Sequence, residues 1–308
     1  MAKKRSSKSL SKSQPKGLAL WVEGARLRTL PLAIAPVIIG AAAASVPNRL
    51  SWSLTALALA VALFLQIGVN FANDYSDGIR GTDSKRNGPL RLTGSGSAKP
   101  AAVKWVAFAF FGLAGLAGLG IVLLTGFWWL VVIGAVCIVA AWFYTGGKSP
   151  YGYSGLGELA VFIFFGPVAT VGTAYVQIRD IDAASILLGS AVGLFASAVL
   201  MINNIRDREL DTHAGKRTLA VKSGPVWSKV IYLLLLWSPF ALLIATSLFY
   251  PAVLLALVTL LLVIPTTLIA LTAKTTKEYV LALKLTSFSA LAFAVAAGWG
   301  LLLVGGLV

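Results

Sequence analysis

The sequence predicts an all-α, polytopic membrane protein. Three observations carry that reading. Only 12% of the 308 residues are charged, where a soluble domain carries roughly 25%. The hydrophobic residues, 58% of the chain, fall in runs of about 20, the length a helix needs to cross a bilayer. The basic residues, which leave a net charge of +15, gather on one side of those runs. Lipid offers the backbone no hydrogen-bond partner, so each run is read as a helix.

Residues 1–17, MAKKRSSKSLSKSQPKG, form a polar, basic tail. No apolar stretch with a small-residue cleavage site follows it, so it does not read as a signal peptide. It is expected to be disordered and drawn to anionic lipid by its lysines. Residues 18–308 form one transmembrane domain. Nine apolar spans follow in order: 28–46, 53–73, 101–124, 126–144, 157–178, 184–204, 226–247, 251–273 and 281–307. The connections near 126 (TGF) and 250 (YP) are short. Those at 74–100 and 205–225 are long and polar, and YTGGKSPYGYSG between spans four and five is rich in glycine.

With the amino terminus in the cytoplasm, every one of the 26 Lys and Arg residues except Arg49 and Arg179 faces inward. This satisfies the positive-inside rule and leaves the carboxyl terminus outside. The location predicted is the cell's plasma or inner membrane. The basic excess is thus a topology signal, and no nucleic-acid partner is expected. GLAGLAGLG, residues 112–120, reads as a close helix-packing stripe. The lone Cys137 reads as packing, and the lone His213 excludes a histidine-rich metal centre.

The polar chemistry is duplicated. Asn70, Asn73, Asp74 and Asp77 end span two, spaced to share one helix face. Asn203, Asn204, Asp207 and Asp211 end span six in the same manner, while Glu209 falls off that face. The spans lie four helices apart, which suggests a parallel internal repeat with the two acidic faces meeting across a cavity. One such cluster could be an ordinary interfacial helix end. Two on the same side, with an aspartate in a membrane helix costing about 2.5–3.5 kcal/mol, point to bound cations. Carboxylate and amide oxygens select Mg²⁺ or Mn²⁺, and Mg²⁺ prefers a few carboxylates plus phosphate oxygens. Lys85, Arg86 and Arg91, Lys148, and Lys216 and Arg217 flank the acidic faces and suit a diphosphate.

These motifs resemble those of the UbiA superfamily of intramembrane prenyltransferases, from about residue 20 onward. NDYSDGIRGTD, GPLRLTGSGS and YTGGKSPYGYSGLGELAVFIFFGPVATVGTAYVQ resemble its menaquinone branch. Gly81 stands where the family's N-D-x-x-D-x-x-x-D motif ends, and Asp83 is the nearest substitute. Tyr144 and Lys148 match the family's Tyr-x-x-x-Lys element.

The resemblance implies a nine-helix bundle around a central cavity, open sideways to lipid. It implies two Mg²⁺, with Mn²⁺ able to substitute, on Asp74, Asp77, Asp83, Asp207 and Asp211. Asn70, Asn73, Asn203, Lys85, Arg86, Arg91, Lys148, Lys216 and Arg217 would bind the diphosphate. Asp74, Asp77, Asp207, Asp211, Lys148 and Tyr144 would form the catalytic set. The substrates implied are a polyprenyl diphosphate and 1,4-dihydroxy-2-naphthoate, which loses CO₂ to give demethylmenaquinone. Asp83, Lys85 or Tyr144 would orient the acceptor, and Trp142, Phe143, Tyr144 and Tyr151 would line its pocket. Three readings compete: another acceptor such as 4-hydroxybenzoate, an ion-coupled transporter, and a phosphatidyltransferase, for which Asp77-Gly78 is too little.

Overall fold

The computed structural model describes residues 17–82 and 90–306. Asp83, Lys85 and Arg86 lie outside the described residues. Among the described residues, ten helices follow in order. They are α1 (Leu18–Ala25), α2 (Pro31–Ser45), α3 (Trp52–Ile79), α4 (Pro100–Thr125) and α5 (Leu130–Phe143). After them come α6 (Gly157–Ile178), α7 (Ala183–His213), α8 (Leu219–Ser247), α9 (Pro251–Thr272) and α10 (Thr276–Val304).

Seven of the described helices are long and apolar enough to cross a membrane, and the pair α1 and α2, bent by 51°, makes an eighth. The fourth expected span, 126–144, shortens to the 14-residue α5. At 1.5 Å per residue it reaches only about 21 Å. The bend before α2 has a local cause. Arg26 is left-handed at φ 53°, and Pro31 opens α2 at a position where its missing N–H costs nothing.

Helix starts follow capping chemistry. Ser51, Asp182 and Thr218 each accept a backbone N–H with their side chains. Thr275 and Glu278 form a reciprocal capping box before α10. Two helices outrun their expected ends: α3 continues to Ile79 rather than 73, and α7 to His213 rather than 204. Both acidic faces therefore ride on the helical extensions past the apolar stretches.

The centre of the bundle is α7, 72% of whose apolar window is buried. In lipid the helices gain little from hiding apolar surface from one another, so close backbone approach decides their packing. Small residues supply it. A Cβ on Gly193 would stand 2.7 Å from the carbonyl oxygen of Phe162, and one on Gly166 would stand 2.8 Å from that of Gly189. This lets α6 and α7 cross nearly in contact. Beside them Phe195, Phe240 and Phe293 pack ring to ring at 5.4–6.2 Å. The expected stripe at 112–120 does this only in part. Gly120 meets Leu57 of α3, whereas Gly112 faces open space.

α10 crosses the start of α9 at Gly300, where an added Cβ would lie 2.4 Å from the carbonyl oxygen of Ala252. Backbone cannot yield there as a side chain would. Gly300→Ala is expected to destabilise the bundle by about 1–3 kcal/mol, read as an earlier thermal transition in detergent. An unshifted transition would refute this packing.

By contrast, α5 has no buried residue at all. It packs on α3 and α4, and several of its residues line the central cavity. One helix alone thus separates that cavity from the outer surface of the bundle.

Candidate active site

The carboxyl ends of α3 and α7 close one end of a cavity of about 440 Å³. Arg49 and Arg179 line a separate hollow with Leu54 and Thr125, at the ends of helices remote from the acidic clusters. The two arginines singled out by charge counting thus share one face, opposite the site.

On α3 each polar residue has a distinct task. Asn70 gives its amide N–H groups to the carbonyl of Ala25, at 2.9 Å, and the hydroxyl of Thr29, at 3.1 Å. Both donors are used, which leaves Oδ1 as the group it can offer a ligand. Asn73 accepts from the Thr145 hydroxyl at 2.8 Å. Asp74 is 1% exposed, and its two oxygens accept the backbone N–H groups of Leu92 and Thr93, each at 2.8 Å. That bond pins the returning loop, and Leu92 seats against Phe71 and Leu20 below it. Asp74 therefore orders the loop that delivers Arg91.

Asp77 is the hub. Its Oδ1 takes the ammonium of Lys216 at 3.1 Å and the hydroxyl of Tyr153, and Arg91 lies 3.6 Å from Oδ2. The same Lys216 stands 3.8 Å from Asp211. The two acidic motifs thus meet, as their duplication suggested, joined through a lysine. Tyr153 lies under two cations: Lys216 is 4.5 Å and Arg80 5.4 Å from its ring centre. Burial first, and then the charge of Asp77, push its hydroxyl well above the ordinary tyrosine range. It stays protonated and keeps donating to Asp77.

On α7, Arg206 reaches both oxygens of Asp207, at 2.8 and 2.6 Å, and Oδ1 of Asn203 at 2.8 Å. The Asn203 oxygen is spent, so its N–H groups are what it can turn to an anion. Asn204 gives its amide to Glu158 at 2.9 Å.

Asn70, Asn73, Arg91, Tyr144, Asn203, Asp207, Asp211 and Lys216 all line the cavity. Lys148 does not: it is exposed and does not border the cavity. Arg80 explains this, since its guanidinium takes the carbonyls of Thr145 and Gly147 and fixes the loop with Lys148 turned outward. Arg217 is also exposed, and its contribution is a backbone N–H to the Tyr153 carbonyl at 2.8 Å. Of the expected aromatic lining, Tyr144 and Tyr151 border the cavity. Trp142 instead stacks on Tyr75 and Phe108, and Phe143 is exposed. Cys137 borders the cavity instead of a packed core. Sequence reasoning missed Arg80, Tyr153 and Arg206. The two arginines look like ordinary positive-inside residues, and Tyr153 sits among glycines with nothing to mark it.

The donor set suits a hard divalent cation. Among the described residues no three acidic, histidine or cysteine side chains converge on one point. An ion here would have few carboxylates and would need amide and phosphate oxygens, which is how Mg²⁺ is usually held. The ammonium of Lys216, between Asp77 and Asp211, marks where positive charge already sits between the two motifs.

Residues 33–288 match the model of the UbiA prenyltransferase family. The chain is 52% identical over 214 residues to a 1,4-dihydroxy-2-naphthoate octaprenyltransferase of Mycobacterium tuberculosis, spanning 70% of this chain and 73% of that one. It is 41% identical over 212 residues to the protein of that name from Escherichia coli K12, covering 67% and 69%. Among solved structures, the fold is shared with a UbiA homolog from Archaeoglobus fulgidus bound to GPP and Mg²⁺. That match has a TM-score of 0.64 at 15% identity over 90% of this chain and 98% of that one. An apo UbiA homolog from Aeropyrum pernix K1 gives 0.68 at 16% identity, over 88% and 97%.

Proposed function

The chain belongs to the UbiA prenyltransferase family, and on that premise we propose that it transfers a polyprenyl group from polyprenyl diphosphate to 1,4-dihydroxy-2-naphthoate, with loss of CO₂, giving demethylmenaquinone. One observation carries the chemistry. Asp211, Lys216 and Arg91 border the polar end of a cavity whose deeper wall is apolar, and Asp77 joins Lys216 and Arg91 from behind. A diphosphate needs the first, and a lipid tail needs the second. The names of the relatives from M. tuberculosis and E. coli support the acceptor.

In this reading Lys216 and Arg91 grip the diphosphate, and Asn203 turns its amide N–H groups toward it. Asp77, Asp207 and Asp211, with Oδ1 of Asn70, would hold two Mg²⁺, which Mn²⁺ can replace. When bound, these ions neutralise the charge that grows on the leaving diphosphate. Asp74 acts one step back, by holding the loop of Arg91 in place. The C1–O bond of the prenyl diphosphate breaks, and its electron pair leaves with the diphosphate. The apolar wall keeps water from the allylic cation. The ring carbon bearing the carboxylate attacks it, and CO₂ departs, returning its electron pair to the ring.

The protein is a multi-pass membrane protein. We place it in the plasma or inner membrane, with its amino terminus and acidic clusters in the cytoplasm and its carboxyl terminus outside. The rule of positive-inside loops supports this orientation.

The test uses purified protein in detergent with a polyprenyl diphosphate, Mg²⁺ and one acceptor at a time. We expect diphosphate release and a decarboxylated, prenylated naphthoquinol with dihydroxynaphthoate, none with 4-hydroxybenzoate, and no reaction after EDTA. Product with 4-hydroxybenzoate alone would reassign the acceptor. No diphosphate released with either would overturn the enzyme reading in favour of ion transport.

A further inference from the structure

Glu158 is a buried acid that the mechanism above does not use. It lies in the first turn of α6 and is 6% exposed. Its Oε1 accepts the amide of Asn204, while Oε2 has no hydrogen-bond partner among the described residues. Leaving a carboxyl oxygen unpaired in a buried site carries a desolvation cost, so its placement calls for a reason.

The residue is held at two points by α7. Its backbone carbonyl accepts the hydroxyl of Ser197 at 2.8 Å, and its side chain takes Asn204 two turns further on. The consequence falls on Asn204. An amide whose N–H is committed must offer its oxygen elsewhere. Asn204 borders the cavity, one residue from Asn203 and three from Asp207, and its Oδ1 has no partner among the described residues. Without Glu158 nothing would stop that amide from turning over and showing N–H groups instead.

The hydroxyl of Tyr144 shares this corner. A Cβ on Gly157 would lie 3.1 Å from it and 3.2 Å from the Leu200 side chain, and Tyr144 and Leu200 both border the cavity. The corner therefore shows one fixed acceptor and one hydroxyl, next to the diphosphate site but outside its cluster of cations.

Resting on the prenyl-transfer reading, we propose that Glu158 is a positioning residue for the aromatic acceptor: by holding the Asn204 amide, it presents Asn204 Oδ1 beside the Tyr144 hydroxyl as the seat of a phenolic hydroxyl. The ring hydroxyl donates to Asn204, and Tyr144 donates to an oxygen of the acceptor. This fixes which edge of the ring meets the prenyl carbon. It also selects a hydroxylated ring over one lacking that hydroxyl.

The experiment is steady-state kinetics of the full chain in detergent, varying each substrate separately. Glu158→Ala is expected to raise the KM for dihydroxynaphthoate about tenfold, the value of one lost polar contact. The KM for prenyl diphosphate should stay within about twofold. Glu158→Gln should restore most of the loss, because its Oε1 accepts the same amide. Asn204→Ala should reproduce the defect, and the double variant should be no worse than either single one. This second route keeps the test open should Glu158→Ala fail to fold. Equal rises in both KM values, no rise in either, or a glutamine variant as poor as alanine would overturn the proposal. A wild-type protein that turns over no hydroxylated aromatic acid would instead overturn the reading beneath it.

Discussion

Replacing Asp77 by alanine is expected to lower the rate of diphosphate release by about 10²–10³-fold, the usual cost of losing one transition-state electrostatic contact. The size follows from what converges on this carboxylate: the ammonium of Lys216, the guanidinium of Arg91 and the hydroxyl of Tyr153. Alanine removes an acidic ligand and at the same time takes away the partner that Lys216 and Arg91 share. Asparagine separates the two effects. It can still accept from Tyr153 but carries no charge, so Asp77→Asn should fold normally and remain nearly as slow. Diphosphate release measured across a Mg²⁺ titration is the check. An alanine variant within about threefold of wild type at low Mg²⁺ would remove Asp77 from the reacting centre.

The second large effect concerns Arg206. Its guanidinium forks onto both oxygens of Asp207, and both side chains are only 5% exposed. Removing one partner of a buried ion pair costs about 3–5 kcal/mol, because the remaining charge loses its main compensation. Arg206→Met should therefore lower the thermal transition in detergent and, by releasing Asn203 as well, the affinity for prenyl diphosphate. Adding Asp207→Leu should bring back much of the stability, since both charges of the pair are then gone, but none of the activity. A single variant as stable as wild type would show that the pair is not load-sharing in the fold. A double variant that regained turnover would take Asp207 out of the chemistry.

Much of this site was legible from spacing. Asn70, Asn73, Asp74 and Asp77 fall on one face of α3 because a helix repeats every 3.6 residues, and the match on α7 exposed the pair. Their division of labour was not legible. Asp74 spends its oxygens on backbone 18 residues away, and only the path of the loop shows that. Lys148 looked as good as Lys216 in the sequence, but a glycine turn held by Arg80 points it outward. One span was misjudged in the same way, although the fold class was read correctly. Apolar length alone made 126–144 a full span, yet the helix starts only at Leu130, after a turn at 127–129. Composition reports the solvent a segment prefers, whereas helix ends are set by turns.

The thin wall made by α5 has a kinetic consequence. If prenyl diphosphate reaches the cavity past α5, a helix without a buried residue, the two proposed reactants would come from two different solvents. One is counted per litre of water, the other per molecule of surrounding lipid. Adding inert lipid at constant bulk concentration would then slow the reaction by surface dilution. Rates from membranes of different composition are comparable only when expressed as mole fraction.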